Sequence, residues 1–175
     1  VNALLKVIEE PNENVFFILI NNSEKNILPT LRSRCLLFKI NFTFAESVEV
    51  SSQIIGENIL YLINNDLINY YNTPGEIINL INFSNDKSID LKNYTLINFL
   101  NLLIDNGYYK KNKNVRTLLI NFIELFFLKE YKLTNTKNSL LNFYHNFLNK
   151  IYNTEKFNLD DESLFLEFKS KLLNG

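Results

Sequence analysis

The stretch Leu31–Ile40 reads LRSRCLLFKI, and it holds two of the three arginines in a chain that otherwise uses 15 lysines for positive charge. Arginine presents a rigid planar fork that meets a carboxylate or a phosphate through paired hydrogen bonds, whereas lysine is a mobile point charge. Arg32 and Arg34 are therefore candidates for salt bridges to Glu9, Glu10 or Glu24, or for a cation directed at phosphate oxygens. The residues alone leave both open. Cys35 has no base close by in sequence, so a small, apolar-like residue opening a strand is expected there rather than a nucleophile. His145 is the only histidine, which removes any His pair or HExxH metal site and leaves an ordinary surface or partly packed residue. Glu9 and Glu10 sit where a helix should end, the unfavourable end of its dipole; a functional reason and a solvated acidic face both account for that. Asp160, Asp161 and Glu162 are expected to cap and charge the start of the last helix. No glycine-rich phosphate loop occurs, so this chain alone has no ordinary means of cradling a nucleotide.

The elements that must position these residues follow from composition and periodicity. At 175 residues and 46% hydrophobic content the chain can bury a core without metals or disulfides, and its single cysteine excludes an internal bridge. A net charge of −1 gives no global attraction to nucleic acid, so any such contact must be local. The apolar runs fall far short of the roughly 20 residues of a membrane helix, and a soluble cytoplasmic protein is expected. The chain lacks methionine and opens with VNALLKVIEEP, already inside an amphipathic segment, which predicts a fragment without its N-terminal part. Asparagine is so abundant, as in an AT-rich genome, that it signals turns poorly.

Asn2 to Glu10 reads as a helix stopped by Pro11. Val15 to Ile20 (VFFILI) and Cys35 to Ile40 (CLLFKI) read as strands buried on both faces, with a short helical turn around Pro29 between them. The first forty residues thus read as the tail of an α/β unit. Phe44 to Ile55, Leu60 to Tyr71 and Glu76 to Phe83 read as three short helices, and Ser84 to Asp90 as a linker. Beyond it, Thr95 to Asp105, Val115 to Tyr131, Ser139 to Tyr152 and Asp160 to Leu173 carry apolar stripes at bundle spacing. Those aromatic stripes read as core or subunit interface, not as a cofactor box.

With these elements in place, Asn2 to Pro11 (NALLKVIEEP) followed by Phe16 to Cys35 (FFILINNSEKNILPTLRSRC) resembles the second half of the AAA+ module of bacterial clamp-loader subunits, part of the DNA polymerase III holoenzyme. The spacing from helix through strand to Ser33-Arg34-Cys35 matches throughout. LRSRC and the C-terminal FNLDDESLFLEF (Phe157 to Phe168) are more similar to the delta prime branch than to the gamma/tau ATPase branch. The resemblance implies a mainly α chain: the end of an AAA+ α/β domain over 1–41, a helical lid over 42–84, and a helical-bundle collar over 85–175.

It also implies roles. Ser33, Arg34 and Cys35 match the family's SRC motif, whose arginine reaches into the ATP site of a neighbouring subunit as an arginine finger, with Arg32 supporting the turn. Asn21 falls at the sensor position after the strand. In Thr73-Pro74-Gly75-Glu76 the place of the family's sensor arginine is taken by Glu76, which argues against ATP hydrolysis in this subunit's own site. The cofactor implied is ATP with Mg²⁺ on the neighbour, none on this chain. The partners implied are the gamma/tau and delta subunits, with the beta sliding clamp and primed DNA reached through the complex. No polymerase chemistry is expected of the chain itself. A gamma/tau ATPase and a purely structural helical module remain as alternatives.

Overall fold

The computed structural model describes residues 7–8, 12–21, 27–69, 71–134 and 137–173, which fall into two compact units, Val1–Asn41 and Phe42–Gly175. In the first unit Val7 and Ile8 are helical, and the rest of the helix expected over residues 2–10 lies outside the described residues. Helix α1 (Pro29–Arg32) is a single turn. Proline suits its first position, where the missing N–H has no intrahelical partner to lose.

The two expected strands are not formed: no β-ladder occurs among the described residues. The run after Asn14 nevertheless keeps the alternation of a strand. Phe16, Ile18 and Ile20 are 89%, 86% and 92% exposed, whereas Val15, Phe17 and Leu19 are 44%, 42% and 46% exposed. A buried strand is held by ladder bonds on both sides and by layers on both faces. The apolar sequence supplies the side chains of such a strand but not the neighbours that would hold it.

The second unit is helical. Helix α2 (Phe44–Ile55) starts on a capping box in which the Thr43 N–H donates to Glu46 Oε2 at 2.8 Å and the Glu46 N–H donates to Thr43 Oγ1 at 3.3 Å. It ends at Gly56, whose φ of 85° suits a residue without Cβ. The helix expected over Leu60–Tyr71 is broken into α3 (Ile59–Leu62) and a 3₁₀ turn, Asn65–Leu67. Asn58 Oδ1 accepts the Leu60 N–H at 3.0 Å and Asn64 Oδ1 accepts the Asp66 N–H at 2.9 Å, so two asparagines restart the backbone. Ile59, Ile63 and Leu67 all face the core despite the break.

Helix α4 (Pro74–Lys87) runs through the first half of the expected linker. Ser84 is buried with its hydroxyl donated to the Ile81 carbonyl at 2.7 Å, and the chain leaves the helix at Ser88, φ 54°. The Ile89 N–H then returns to the Ser84 carbonyl at 2.8 Å. Polar composition hid a helix end whose buried contacts are made by a few residues.

Helices α5 (Leu96–Asp105), α6 (Lys113–Leu133), α7 (Lys137–Phe157) and α8 (Glu162–Phe168) complete the unit, α8 continuing into a π-turn over Lys169–Leu173. The expected stripes of α5 and α6 are buried, from Phe99, Leu100 and Leu103 to Leu119, Phe122, Ile123 and Phe126. On α7 only Phe147 and Ile151 of the expected stripe are buried, and Leu141 is exposed. A single hydrophobic cluster extends from Ile59 to Phe168.

Asp66 ties the 3₁₀ turn to this core. Its Oδ2 accepts the Leu96 N–H at 2.6 Å, Lys129 Nζ donates to the Asp66 carbonyl at 2.7 Å, and the same ammonium pairs with Asp66 Oδ1. Burial pushes the Asp66 carboxyl up, but the Leu96 N–H and the Lys129 ammonium outweigh it and hold the group below its ordinary value. A carboxyl lowered on folding contributes stability above its unfolded pKa, lost as the pH falls through the lowered value. Asp66→Asn is therefore expected to cost about 1–3 kcal/mol at neutral pH and to flatten the acid limb of a urea-unfolding pH series. An unchanged acid limb would show that Asp66 carries none of that dependence.

Candidate functional site

The turn after α1 is built by backbone bonds that tighten the helix end. The Ser33 N–H donates to the Pro29 carbonyl at 3.0 Å and the Arg34 N–H to the Leu31 carbonyl at 3.0 Å. The Ser33 hydroxyl donates to the Thr30 carbonyl at 3.1 Å. Arg34 Nη1 then donates to the same carbonyl at 2.8 Å and reaches Ser33 Oγ at 3.4 Å. A guanidinium over the last carbonyls of a helix also complements the negative end of its dipole. Arg34 is thus a surface cation whose guanidinium is held by one nitrogen on its own turn.

Arg32, Ser33 and Cys35 are exposed on this turn as well, Cys35 as a free thiol. The expectation that Cys35 opens a strand is corrected, because the described residues form no strand after it. Asn21 is exposed at the end of the apolar run. Glu9, Glu10 and Glu24, the carboxylates offered as salt-bridge partners, lie outside the described residues. Among the described residues no group of three or more His, Cys, Asp or Glu side chains converges on a common point, and no helix is long and apolar enough to cross a membrane. His145 is exposed on α7.

Glu76, expected from the resemblance to stand where the family carries a sensor arginine, has a structural duty. Its Oε2 accepts the Thr73 N–H at 2.9 Å in a capping box that starts α4, and its Oε1 accepts Asn121 Nδ2 at 3.1 Å from α6. Thr73 followed three residues later by Glu76 was a legible signal for this cap. Glu76→Arg, which restores the family's residue type, is expected to cost about 1–2 kcal/mol by chemical denaturation. An unchanged midpoint would show that Asn121 and water replace the cap.

The third arginine was missed in sequence. Arg116 on α6 is 15% exposed and forms a fork on Asp161, Nε to Oδ2 at 2.5 Å and Nη2 to Oδ1 at 3.0 Å, with Nη1 on Glu155 at 2.9 Å. Asp161 precedes α8 but makes no side-chain cap. Its expected capping role is corrected, because both carboxylate oxygens are taken by the guanidinium. The bonds to Asp161 hold the Arg116 guanidinium pKa above its ordinary value. Arginine in this chain therefore serves one evident architectural clamp in the second unit and the surface turn in the first.

A family model described as DNA polymerase III, delta subunit, matches residues 1–43, a span that contains Asn21 and the Arg32–Cys35 turn. The DNA polymerase III subunit delta' of Buchnera aphidicola subsp. Baizongia pistaciae is 31% identical over 140 residues, 80% of this chain and 35% of that protein. The DNA polymerase III subunit gamma of Buchnera aphidicola subsp. Schizaphis graminum is 47% identical over 47 residues, 27% of this chain and 13% of that protein. The chain spans about a third of the length of the delta' relative. No solved structure matches it. The chain is similar to DNA polymerase III clamp-loader subunits and is delta-prime-like, the likeness to the delta' relative extending over 140 residues and that to gamma over 47.

Proposed function

We propose that the chain acts in a clamp loader as the delta-prime-type subunit and supplies Arg34 to an ATP site on a neighbouring subunit. The observation that carries this is Arg34 itself: a surface guanidinium rooted on Thr30 and Ser33 at a helix end, within the span matched by the family model. A rigidly rooted cation suits a trans role, because charge developing on the transferred γ-phosphoryl oxygens is stabilised most by groups already in place. In this arrangement gamma/tau subunits hold ATP and Mg²⁺, and Asn21 lies at the sensor position. Ser33, Arg32 and Cys35 shape the turn. Glu76, already engaged with Thr73 and Asn121, gives the chain no cation at its own sensor place.

The two apolar runs, one of them with strand-like alternation, are the side chains expected of an AAA+ sheet. The helical second unit, with the lid and collar portions, would join the gamma/tau and delta subunits. Through the assembled complex it would serve ATP-driven loading of the beta clamp on primed DNA in the cytoplasm. The test is ATP hydrolysis by a complex reconstituted with the Arg34→Ala chain. A fall with assembly intact supports the finger, and unchanged hydrolysis sinks it. The higher identity to gamma over the short segment favours a second reading, a gamma/tau ATPase. Competition in reconstitution separates the two: displacement of delta' supports the first reading, displacement of gamma the second.

A further inference from the structure

A cavity of about 510 Å³ opens in the second unit between the loop before α4, the middle of α6 and the start of α7. Its floor and walls include the buried Leu125 and Phe127, the half-buried Tyr144 and, at the entrance, Glu124. Two carboxylates line it and they are differently placed. Glu76 is spent on the Thr73 N–H and Asn121. Glu124 has neither a hydrogen bond nor an ion pair among the described residues; it is exposed at the mouth, with its carboxyl partly enclosed by the surrounding side chains. Burial pushes the Glu124 carboxyl up, and the negative Glu76 adds to the effect. Burial and the Glu124 charge likewise push up the Tyr144 phenol. Lys137 sits over the Tyr131 ring at the rim, 5.0 Å from its centroid, so the inner aromatic surfaces are those of Phe127 and Tyr144.

An unpaired carboxylate beside aromatic faces is complementary to a cation, and best to a guanidinium, which can pair with the carboxylate and stack on a ring together. Around the mouth the apolar surface continues: Tyr71, Leu128, Tyr131 and Leu141 are 82%, 39%, 37% and 45% exposed. A small cation would fill the carboxylate end and leave that rim wet. A polypeptide that inserts one basic side chain and lays apolar neighbours on the rim covers both. We propose that this cavity is a docking site for a polypeptide segment of a partner protein that presents an arginine flanked by leucine-like residues, the guanidinium pairing with Glu124. The site is separate from the Arg34 turn, and neither assignment depends on the other.

The test uses this chain and three probes followed by NMR: the peptide acetyl-Leu-Leu-Arg-Leu-Leu-amide, the same peptide with neutral citrulline for arginine, and acetyl-arginine amide. The arginine peptide is expected to shift the amides of Asn121, Glu124, Leu141 and Tyr144 saturably, and the citrulline peptide and Glu124→Gln each to weaken binding about tenfold. Leu141→Gln is expected to weaken the peptide while leaving acetyl-arginine amide unchanged. Far-UV circular dichroism melts confirm that both variants fold. Equal binding of the citrulline peptide would remove the cation from the argument. Acetyl-arginine amide binding as tightly as the peptide would assign the cavity to a small cation instead. Shifts elsewhere, or none at millimolar peptide, would overturn the site altogether.

Discussion

Replacing Arg34 with alanine is expected to lower ATP hydrolysis at the one neighbouring site it serves in a reconstituted clamp-loader complex by about 10³-fold, the lower end of what a finger supplied in trans contributes in other NTPases. That factor corresponds to about 4 kcal/mol of transition-state stabilisation. It is attainable if the guanidinium takes the proposed place, where a neighbour's γ-phosphoryl group gains charge away from bulk water. The chain itself should be little changed. Arg34 is exposed and its guanidinium bonds to Thr30 and Ser33 lie within its own turn, so Arg34→Ala should move unfolding by no more than about 0.5 kcal/mol. Arg34→Lys separates charge from shape: a lysine keeps the charge, loses the planar fork, and should recover only part of the rate. Arg32→Ala serves as the internal control, with a smaller loss expected for a residue that supports the turn. The decisive comparison is hydrolysis by complexes of equal subunit composition, checked by gel filtration. If Arg32→Ala cost more than Arg34→Ala, the finger would be reassigned to Arg32.

The second large effect belongs to stability. Phe168 is fully buried, with the rings of Phe126, Phe127 and Phe147 centred 5.5, 5.8 and 5.7 Å from its own. It is the point at which α8 enters the aromatic layer between α6 and α7. Phe168→Ala should cost about 3–5 kcal/mol, the transfer loss plus an unfilled cavity. Against a typical total of about 5–15 kcal/mol that is a large share, and it should lower the melting temperature by about 10 °C. Phe168→Leu keeps most of the volume and should cost far less. A melt of Phe168→Ala within two or so degrees of the unaltered chain would mean that α8 is not held by this layer. Arg116 and Asp161 lie at the other end of α8, so weakening the aromatic layer leaves their ion pair to hold the segment alone.

Much of the second unit was legible because a buried helix writes its own period. Leu96, Phe99, Leu100 and Leu103 recur at the spacing that puts them on one face, and all four are buried. The same spacing misled between residues 60 and 71. Ile59, Ile63 and Leu67 stand four apart and all face the core, yet Asn58 and Asn64 interrupt the helix. An asparagine cap is a choice between its own backbone and solvent, and in a chain full of asparagine that choice is made by the surroundings. Thr73 and Glu76 carried a clearer signal that the expected helix start at Glu76 passed over, because a capping box needs two partners at a set spacing.

At the candidate site the residue types were legible and their setting was not. Arginine in place of lysine in LRSRC marked the pair Arg32 and Arg34, because donor geometry is a property of the side chain itself, and the family resemblance chose Arg34 between them. That its guanidinium is rooted on the Thr30 carbonyl follows from the way the turn closes after α1. Composition could not show that Arg116 grips Asp161 across 45 positions, nor that Glu124 lines a cavity with no ion-pair partner among the described residues. Nor could it show that VFFILI lies without a ladder. Periodicity and side-chain chemistry are local, so the sequence by itself determined the helical stripes and the arginine turn. Pairing, shielding and exposure depend on what the rest of the chain brings alongside, and only the tertiary structure decided them.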